Sequence, residues 1–282
     1  MTWILDFYKR NPPVVWEMFK FVRPRELAFV PIREWKEGKA HRWINVGRIG
    51  NFLQALEGHY KTETRWHLFA SIQYVRKAYD TGEHINLKTS WIVWGWDIVV
   101  DLDHDPERGR GQSFWDAWAE CLAVCELYDE YGLPYWVKFS GGRGFHVTVP
   151  WRWPLRAETG RPYLQALFRP DEFSRIAQKW ATAISERLRL RTMDASTTYK
   201  HQGLIRVPYS VHPKTGLVAL PLSRAELADF DPEMARPEMV ARMDVQARGL
   251  QMRNVERPEE ALEGLKAFCW DVLGLKVEDR KP

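Results

Sequence analysis

WGWDIVVDLD, residues Trp94–Asp103, closed by His104 and Asp105, is the run around which this chain is organised. Ile98, Val99 and Val100 are β-branched or apolar and predict a buried strand, bracketed by Gly95 and the charged end. Side chains alternate along a strand, so Asp101 and Asp103 share one face and Leu102 takes the other. Two carboxylates held side by side repel each other, and a divalent cation relieves that repulsion. Oxygen ligands suit hard ions such as Mg²⁺ or Mn²⁺. Asp105 is a further oxygen donor, although it opens a loop, PERGRGQ, where a solvent-facing residue is expected. A D-x-D pair standing alone is explained equally well by a solvated strand end.

Two later stretches change that balance. SGGRGFH, Ser140–His146, lies between two strand-like runs. Gly141, Gly142 and Gly144 stand where side chains would block a phosphate. A turn of this kind, begun by Ser140, aims successive backbone N–H groups at an anion, and Arg143 adds a bidentate cation. An ordinary glycine-rich hairpin is the plainer alternative. His146 falls on the polar face of the following strand. In LIRVPYSVHPKTGL, Leu204–Leu217, Arg206 alternates with Ile205 and Val207 and so leaves the core face. Ser210, His212 and Lys214 follow at once. A surface turn accounts for Lys214 and Thr215, but less well for an Arg, a Ser, a His and a Lys beside one strand end. Carboxylate pair, glycine turn and basic turn together describe a site for a metal-bound polyphosphate.

A chain of 282 residues fits one large domain, or a domain with a small appendage. Its 45% hydrophobic content, with 15 Trp, supports a sizeable core. The formal net charge of +4 permits nucleic-acid binding without arguing for it, because distribution matters more than the sum. Cys121 and Cys125 sit four apart in a helical pattern with apolar neighbours, and with Cys269 they read as buried thiols rather than a zinc site. MTWILDFYKRNPP lacks a signal-peptide core, and no apolar run approaches the length of a membrane span, so a cytoplasmic protein is expected.

Along the chain, residues 2–22 read as two amphipathic helices around Pro12-Pro13, and residues 25–46 as two strands around a polar turn at Lys36–Lys39. Gly50–His59 predicts a helix and His67–Ala78 mixed strand and helix. Tyr79–Lys88 is a loop. Ser113–Tyr131 predicts a helix ended by Gly132-Leu-Pro134. Tyr135–Phe139 and Phe145–Val149 are strands, and Asp171 is placed to cap a helix running to Leu190. Ser223-x-x-Glu226 is a capping box. Residues 231–260 are charged and low in aliphatics, predicting extended or mobile chain, before a last helix at Ala261–Leu275.

DLD, SGGRGFH and LIRVPYSVHPKTGL resemble, in order, the three motifs of the archaeo-eukaryotic primase superfamily, with spacing similar to the archaeal primase small catalytic subunit. RELAF and ASIQY add to the likeness, which covers roughly residues 20–222. The resemblance implies a mixed α/β (α+β) catalytic fold with an RNA-recognition-like half, its sheets flanked by helices. It implies Asp101 and Asp103 as ligands of two Mg²⁺ or Mn²⁺ ions. Ser140, Gly141, Gly142, Arg143, Gly144, His146, Arg206, Ser210, His212 and Lys214 would then surround the triphosphate.

The sequence also departs from the family pattern. An ungapped alignment puts Lys200 where the family's third metal-binding Asp stands, and a one-residue shift gives Tyr199. Asp194, twelve residues before Arg206, is the acid within reach. That longer spacing, with PYS after it, resembles the end-joining polymerase branch, and Asp194 is carried as the third catalytic carboxylate. The Cys/His zinc cluster of primase small subunits and a long helical insertion are absent, which separates primer extension from primer initiation.

The expectation is a template-directed nucleotidyltransferase of residues 1–222 with a helical extension, 223–282, adding an NTP or dNTP to a 3′ hydroxyl. Its partners would be DNA template and primer, and a large primase subunit or other replication or repair proteins; no membrane is involved. The rivals are a primase-like paralogue that binds DNA without catalysis, an end-joining repair polymerase, and a D-x-D phosphohydrolase. The basic turn after the LIRV strand argues against the last.

Overall fold

A computed structural model describes residues 2–32, 41–43, 46–61, 66–75, 93–111, 113–153, 161–199, 203–254 and 258–278. The turn at Lys36–Lys39, the loop Tyr79–Lys88 and Lys200 lie outside them. Helices α1 (Trp3–Arg10) and α2 (Pro12–Val22) open the chain, followed by β1 (Arg25–Pro31), β2 (His41–Trp43), α3 (Ile49–Tyr60) and β3 (Trp66–Val75). Next come β4 (Val93–Trp96), β5 (Ile98–Asp103), α4 (Phe114–Glu130), β6 (Trp136–Phe139) and β7 (Gly144–Val149). A small hairpin, β8 (Arg152–Trp153) and β9 (Arg161–Pro162), precedes α5 (Leu164–Leu167), α6 (Phe173–Leu188), α7 (Ala195–Tyr199), β10 (Leu204–Arg206) and β11 (Pro221–Leu222). The C-terminal part adds α8 (Arg224–Ala228), α9 (Pro237–Val240), α10 (Val245–Arg248) and α11 (Pro258–Asp271).

The strands form two main antiparallel sheets. In one the order is β10-β3-β1-β2, with β4 also on β3; in the other it is β11-β6-β7-β5. β4 and β5 are one extended run broken at Asp97, where the chain crosses between the sheets. A buried staple marks the crossing. Asp97 pairs with Arg25 at 2.5 Å, both sealed from solvent, and also accepts from the Trp151 N–H. Arg25 donates to the Ser71 and Ile72 carbonyls and to Tyr74. An unpaired charge at this depth would cost several kcal/mol, so each partner requires the other.

Ile98, Val99, Val100 and Leu102 of β5 are fully buried, each contributing ~1.5–3 kcal/mol of hydrophobic stabilisation. α4 packs on β5 and β7; Ser113 caps it by accepting from the Asp116 N–H, and the Asp116 carboxylate accepts from the Ser113 N–H. Cys121, Cys125 and Cys269 are buried free thiols, as expected, and burial pushes the first and last well up.

Four details differ from the sequence reading. His67–Ala78 yields one long strand as far as Val75, because its residues are buried on both faces. Asp171 does not cap α6; it lies in a turn whose closing acid is Glu172, bonded to the Arg169 N–H. Residues 231–254 are not extended or mobile chain. Short helices there bury Ala235, Val240 and Val245, and Arg248 grips Glu226 at 2.6 and 2.9 Å. Few aliphatics suffice because arginine pairing supplies the anchoring. Asp105, expected at the surface, is buried.

Candidate active site

One row of charge crosses the second sheet. The register sets Lys138 (β6) opposite His146 (β7), and His146 opposite Asp101 (β5). The row continues off the strand edge. Leu102 pairs with Met193, the Asp103 N–H donates to the Thr192 carbonyl (2.9 Å), and the Asp194 N–H donates to the Asp101 carbonyl (2.8 Å). Residues facing each other across an antiparallel pair point to the same side of the sheet. Asp194 therefore lies across from Asp101, and Asp103 shares their face.

The segment that brings Asp194 there is pinned from α4. Glu120 accepts the backbone N–H groups of Arg191 (2.8 Å) and Thr192 (2.9 Å) and the Thr192 hydroxyl (2.6 Å). Guanidinium groups meet the carboxylates. Arg110 pairs with Asp194 at 2.6 Å, and Arg143 with Asp103 at 2.5 Å and Asp105 at 3.0 Å. Burial raises the Asp103 carboxyl above its ordinary value despite Arg143.

Tautomers follow from the contacts. His146 Nε2 faces Asp101 Oδ1 at 3.4 Å and so carries the hydrogen, while Nδ1 accepts from Lys138 Nζ at 2.8 Å. Burial, reinforced by Lys138 and Arg206, holds this imidazole neutral. Lys138, fully enclosed, is itself pushed far below the usual lysine value by burial.

The glycine turn and the basic turn touch. A Cβ at Gly142 would stand 3.1 Å from His212 Nε2, and Thr215 donates to the Gly141 carbonyl. The Ser140 hydroxyl accepts from the Gly142 and Gly144 N–H groups at 3.3 Å each, holding the turn. His212 Nδ1 accepts from the Lys214 and Thr215 N–H groups, so Nε2–H is its free donor, beside Gly142. Burial first, and Arg206 next, push His212 down to about 2; it acts as a neutral donor. The Ser210 hydroxyl is sealed and donates to the Val207 carbonyl, so it holds the turn from inside. Tyr8 of α1 accepts from the neighbouring Val211 N–H.

Arg206 is buried, stacks over Phe69 and donates to His67 Nδ1 at 2.8 Å. Among the described residues its Nη1 has no hydrogen-bond partner. A buried unpaired guanidinium nitrogen near Asp101 and Asp103 is a demand for an anion.

The three sequence motifs thus converge. Reading the sequence missed Lys138, His67, Glu120 and Arg110. Only Lys138 had a legible signal: strand alternation from a VKFS–GFHV hairpin sets it beside His146. Among the described residues no three His, Cys, Asp or Glu side chains already stand as a metal cage. The three carboxylates that the register brings to one face are hard oxygen donors of the kind Mg²⁺ or Mn²⁺ takes, and here Arg110 and Arg143 pair with two of them.

Comparisons with known proteins bear on the family and the fold. The family model described as LigD, primase-polymerase domain, matches residues 95–248. The DNA primase small subunit PriS of Pyrobaculum calidifontis is 30% identical over 264 residues, covering 81% of this chain and 78% of the relative. PriS of Pyrobaculum islandicum is 30% identical over 240 residues, 73% of each chain. The polymerase domain of Mycobacterium tuberculosis ligase D, solved in complex with DNA, superposes with a TM-score of 0.54 at 16% identity, covering 87% of this chain and 88% of that one. At that identity the likeness speaks for the fold, a mixed α/β architecture with antiparallel sheets and flanking helices.

Proposed function

Because this chain belongs to the LigD primase-polymerase family, within the archaeo-eukaryotic primase superfamily, we propose that it is a template-directed nucleotidyltransferase. It would add an NTP or dNTP to a primer 3′ hydroxyl with DNA template and primer as its macromolecular substrates. The observation carrying this reading is Asp194 across from Asp101, with Asp103 on the same face. A site with three carboxylates can serve both the hydroxyl and the triphosphate; one lacking Asp194 would bind nucleotide without activating the attacking oxygen. This favours an enzyme over a binding paralogue.

In this reading Asp101, Asp103 and Asp194 would hold two Mg²⁺ or Mn²⁺ ions, which when bound stabilise charge on the attacking and leaving oxygens. Arg206 Nη1 and the His212 Nε2–H would donate to triphosphate oxygens, with Lys214 adding charge and the Gly141–Gly144 backbone lining their path. His146, tied to Lys138, would hold Asp101 in orientation. Arg143 would turn from Asp103 to the triphosphate as nucleotide arrives. Ser140 and Ser210 would act by shaping the two turns. Residues 1–222 would carry the chemistry and 223–282 would buttress it. A large primase subunit or other replication or repair proteins are the proposed partners, in the cytoplasm. Among the described residues no helix is long and apolar enough to cross a membrane.

The twelve-residue spacing from Asp194 to Arg206 supports an end-joining repair polymerase as the second reading. Extension assays on primed, gapped and unprimed templates, with Mg²⁺ against Mn²⁺, test both. Extension without initiation favours the second reading, and no incorporation under any condition overturns the enzyme assignment.

A further inference from the structure

Asp105 lies outside the three carboxylates proposed to hold metal, yet it sits at the centre of their charge network. Asp105 Oδ2 receives Arg143 at 3.0 Å and Arg110 at 3.4 Å, with Arg108 farther off at 3.6 Å. Arg143 reaches on to Asp103 and Arg110 to Asp194. The result is an alternating chain, Asp103–Arg143–Asp105–Arg110–Asp194, with a single net negative charge and its middle member enclosed.

The loop that builds this chain is closed on itself. The Asp105 N–H donates to the Arg110 carbonyl at 2.6 Å, and the Arg110 N–H returns the bond at 2.9 Å. Gly111, at φ +65°, then brings the backbone so near Thr192 that a Cβ there would stand 2.6 Å from the threonine methyl. Thr192 belongs to the same short segment as Asp194. Loop and metal-site edge are thus fixed to each other, and Arg110 cannot move off as a residue of a surface loop would.

We propose that Asp105 is a positioning residue that anchors Arg110 and Arg143 and thereby sets how strongly they compete with divalent ions for Asp194 and Asp103. This inference rests on the metal-dependent reading above. Each guanidinium divides its attraction between Asp105 and one metal-site carboxylate. When an ion takes that carboxylate, Asp105 keeps the arginine seated and neutralised. Without the Asp105 charge, both arginines would lean wholly on Asp103 and Asp194 and oppose the incoming cation.

The test is Mn²⁺ binding to the full chain without nucleotide or DNA, followed by the electron-paramagnetic signal of free Mn²⁺. Arg110→Gln should bind Mn²⁺ several-fold more tightly than wild type, because a competitor has gone. Asp105→Asn should bind roughly tenfold more weakly, the scale of one redirected charge-assisted hydrogen bond. Adding Arg110→Gln to Asp105→Asn should restore the loss. A purely structural role for the loop predicts the opposite: Arg110→Gln weaker, and no restoration. Unchanged binding in Arg110→Gln or in folded Asp105→Asn overturns the inference. If circular dichroism shows Asp105→Asn unfolded, Arg110→Gln alone decides. Wild-type binding that is lost in Asp194→Asn but unmoved by Arg110→Gln overturns only this inference. A wild type that binds no Mn²⁺ removes the metal-dependent reading and this inference with it.

Discussion

Asp194 faces Asp101 across a two-strand edge, the Asp194 N–H donating to the Asp101 carbonyl at 2.8 Å. Ninety-three positions of sequence separate the two, and a backbone bridge held in place by Glu120 makes them neighbours. The geometry has a direct consequence for catalysis. Replacing Asp194 by Ala should reduce primer extension by roughly 10²–10³-fold, the scale of losing one electrostatic group at a developing charge. Stability should fall only modestly, because Arg110 loses its 2.6 Å partner Asp194 but keeps Asp105. Primer extension beside a thermal melt checks both; a variant extending primers like wild type removes Asp194 from the site.

Arg206 offers from a buried position an Nη1 that no described residue bonds. A charge-assisted hydrogen bond to a phosphate oxygen is worth about 1.5–3 kcal/mol, so Arg206→Gln should weaken nucleotide binding about tenfold or more. His212→Ala should weaken it less, since a neutral imidazole donates without charge. Template affinity should hold in both variants. Fluorescent nucleotide titration checks the order, and equal binding by all three proteins would remove the triphosphate assignment.

The motifs that converge here were legible because each is local. Strand alternation fixed the shared face of Asp101 and Asp103, and the glycine turn between two strands announced a hairpin. What alternation cannot give is register between distant segments. The pairing of Leu102 with Met193 depends on Glu120 of α4 holding the Thr192 backbone, and no periodicity in RTMDASTT encodes that. Asp105 was misjudged for a related reason. PERGRGQ reads as a solvated loop until Asp105 and Arg110 bond to each other and bring Arg108 and Arg110 onto one carboxylate, which Arg143 reaches from the glycine turn. Lys138 and His67 were passed over because an ionisable residue within an apolar strand reads as its exposed side, whereas both face a buried polar cleft.

The staple between sheets makes a stability prediction independent of chemistry. Arg25 and Asp97 are 2% and 0% exposed at the side chain. Burial works against the Arg25 charge, but Asp97 and Tyr74 outweigh it and raise its pKa. Arg25→Met or Asp97→Asn alone leaves one charge, or its carbonyl partners, uncompensated, and should cost about 3–5 kcal/mol. Urea unfolding of the two single variants and the double measures the coupling. Single losses that simply add in the double variant would show that the pair is not a unit.

His67, together with the buried His146 and His212, contributes to the pH dependence. Burial, then Arg206 and Lys214, push its pKa down to about 2, and His212 is lowered to about 2 in the same way. In the unfolded chain both titrate near 6.5. Between these values the unfolded state binds more protons than the folded one, so stability rises with pH across that window. The contribution is fully present above about pH 6.5 and is lost progressively as pH falls. His67, 4% exposed, should carry a slope approaching ~1.4 kcal/mol per pH unit, and the less enclosed His212 a smaller one. Carboxylates with lowered pKa, such as Asp105, lose their contribution only below the ordinary carboxylate range, so they do not intrude between pH 5 and 7. Urea unfolding at pH 7.5, 6.5 and 5.5 should therefore show falling stability in the wild type. His67→Gln, which can still accept from Arg206, should flatten that fall by about one histidine's slope. If the two proteins lose stability in parallel across this range, the imidazole at position 67 is protonated in the folded chain and the reading of His67 as a neutral acceptor for Arg206 is wrong.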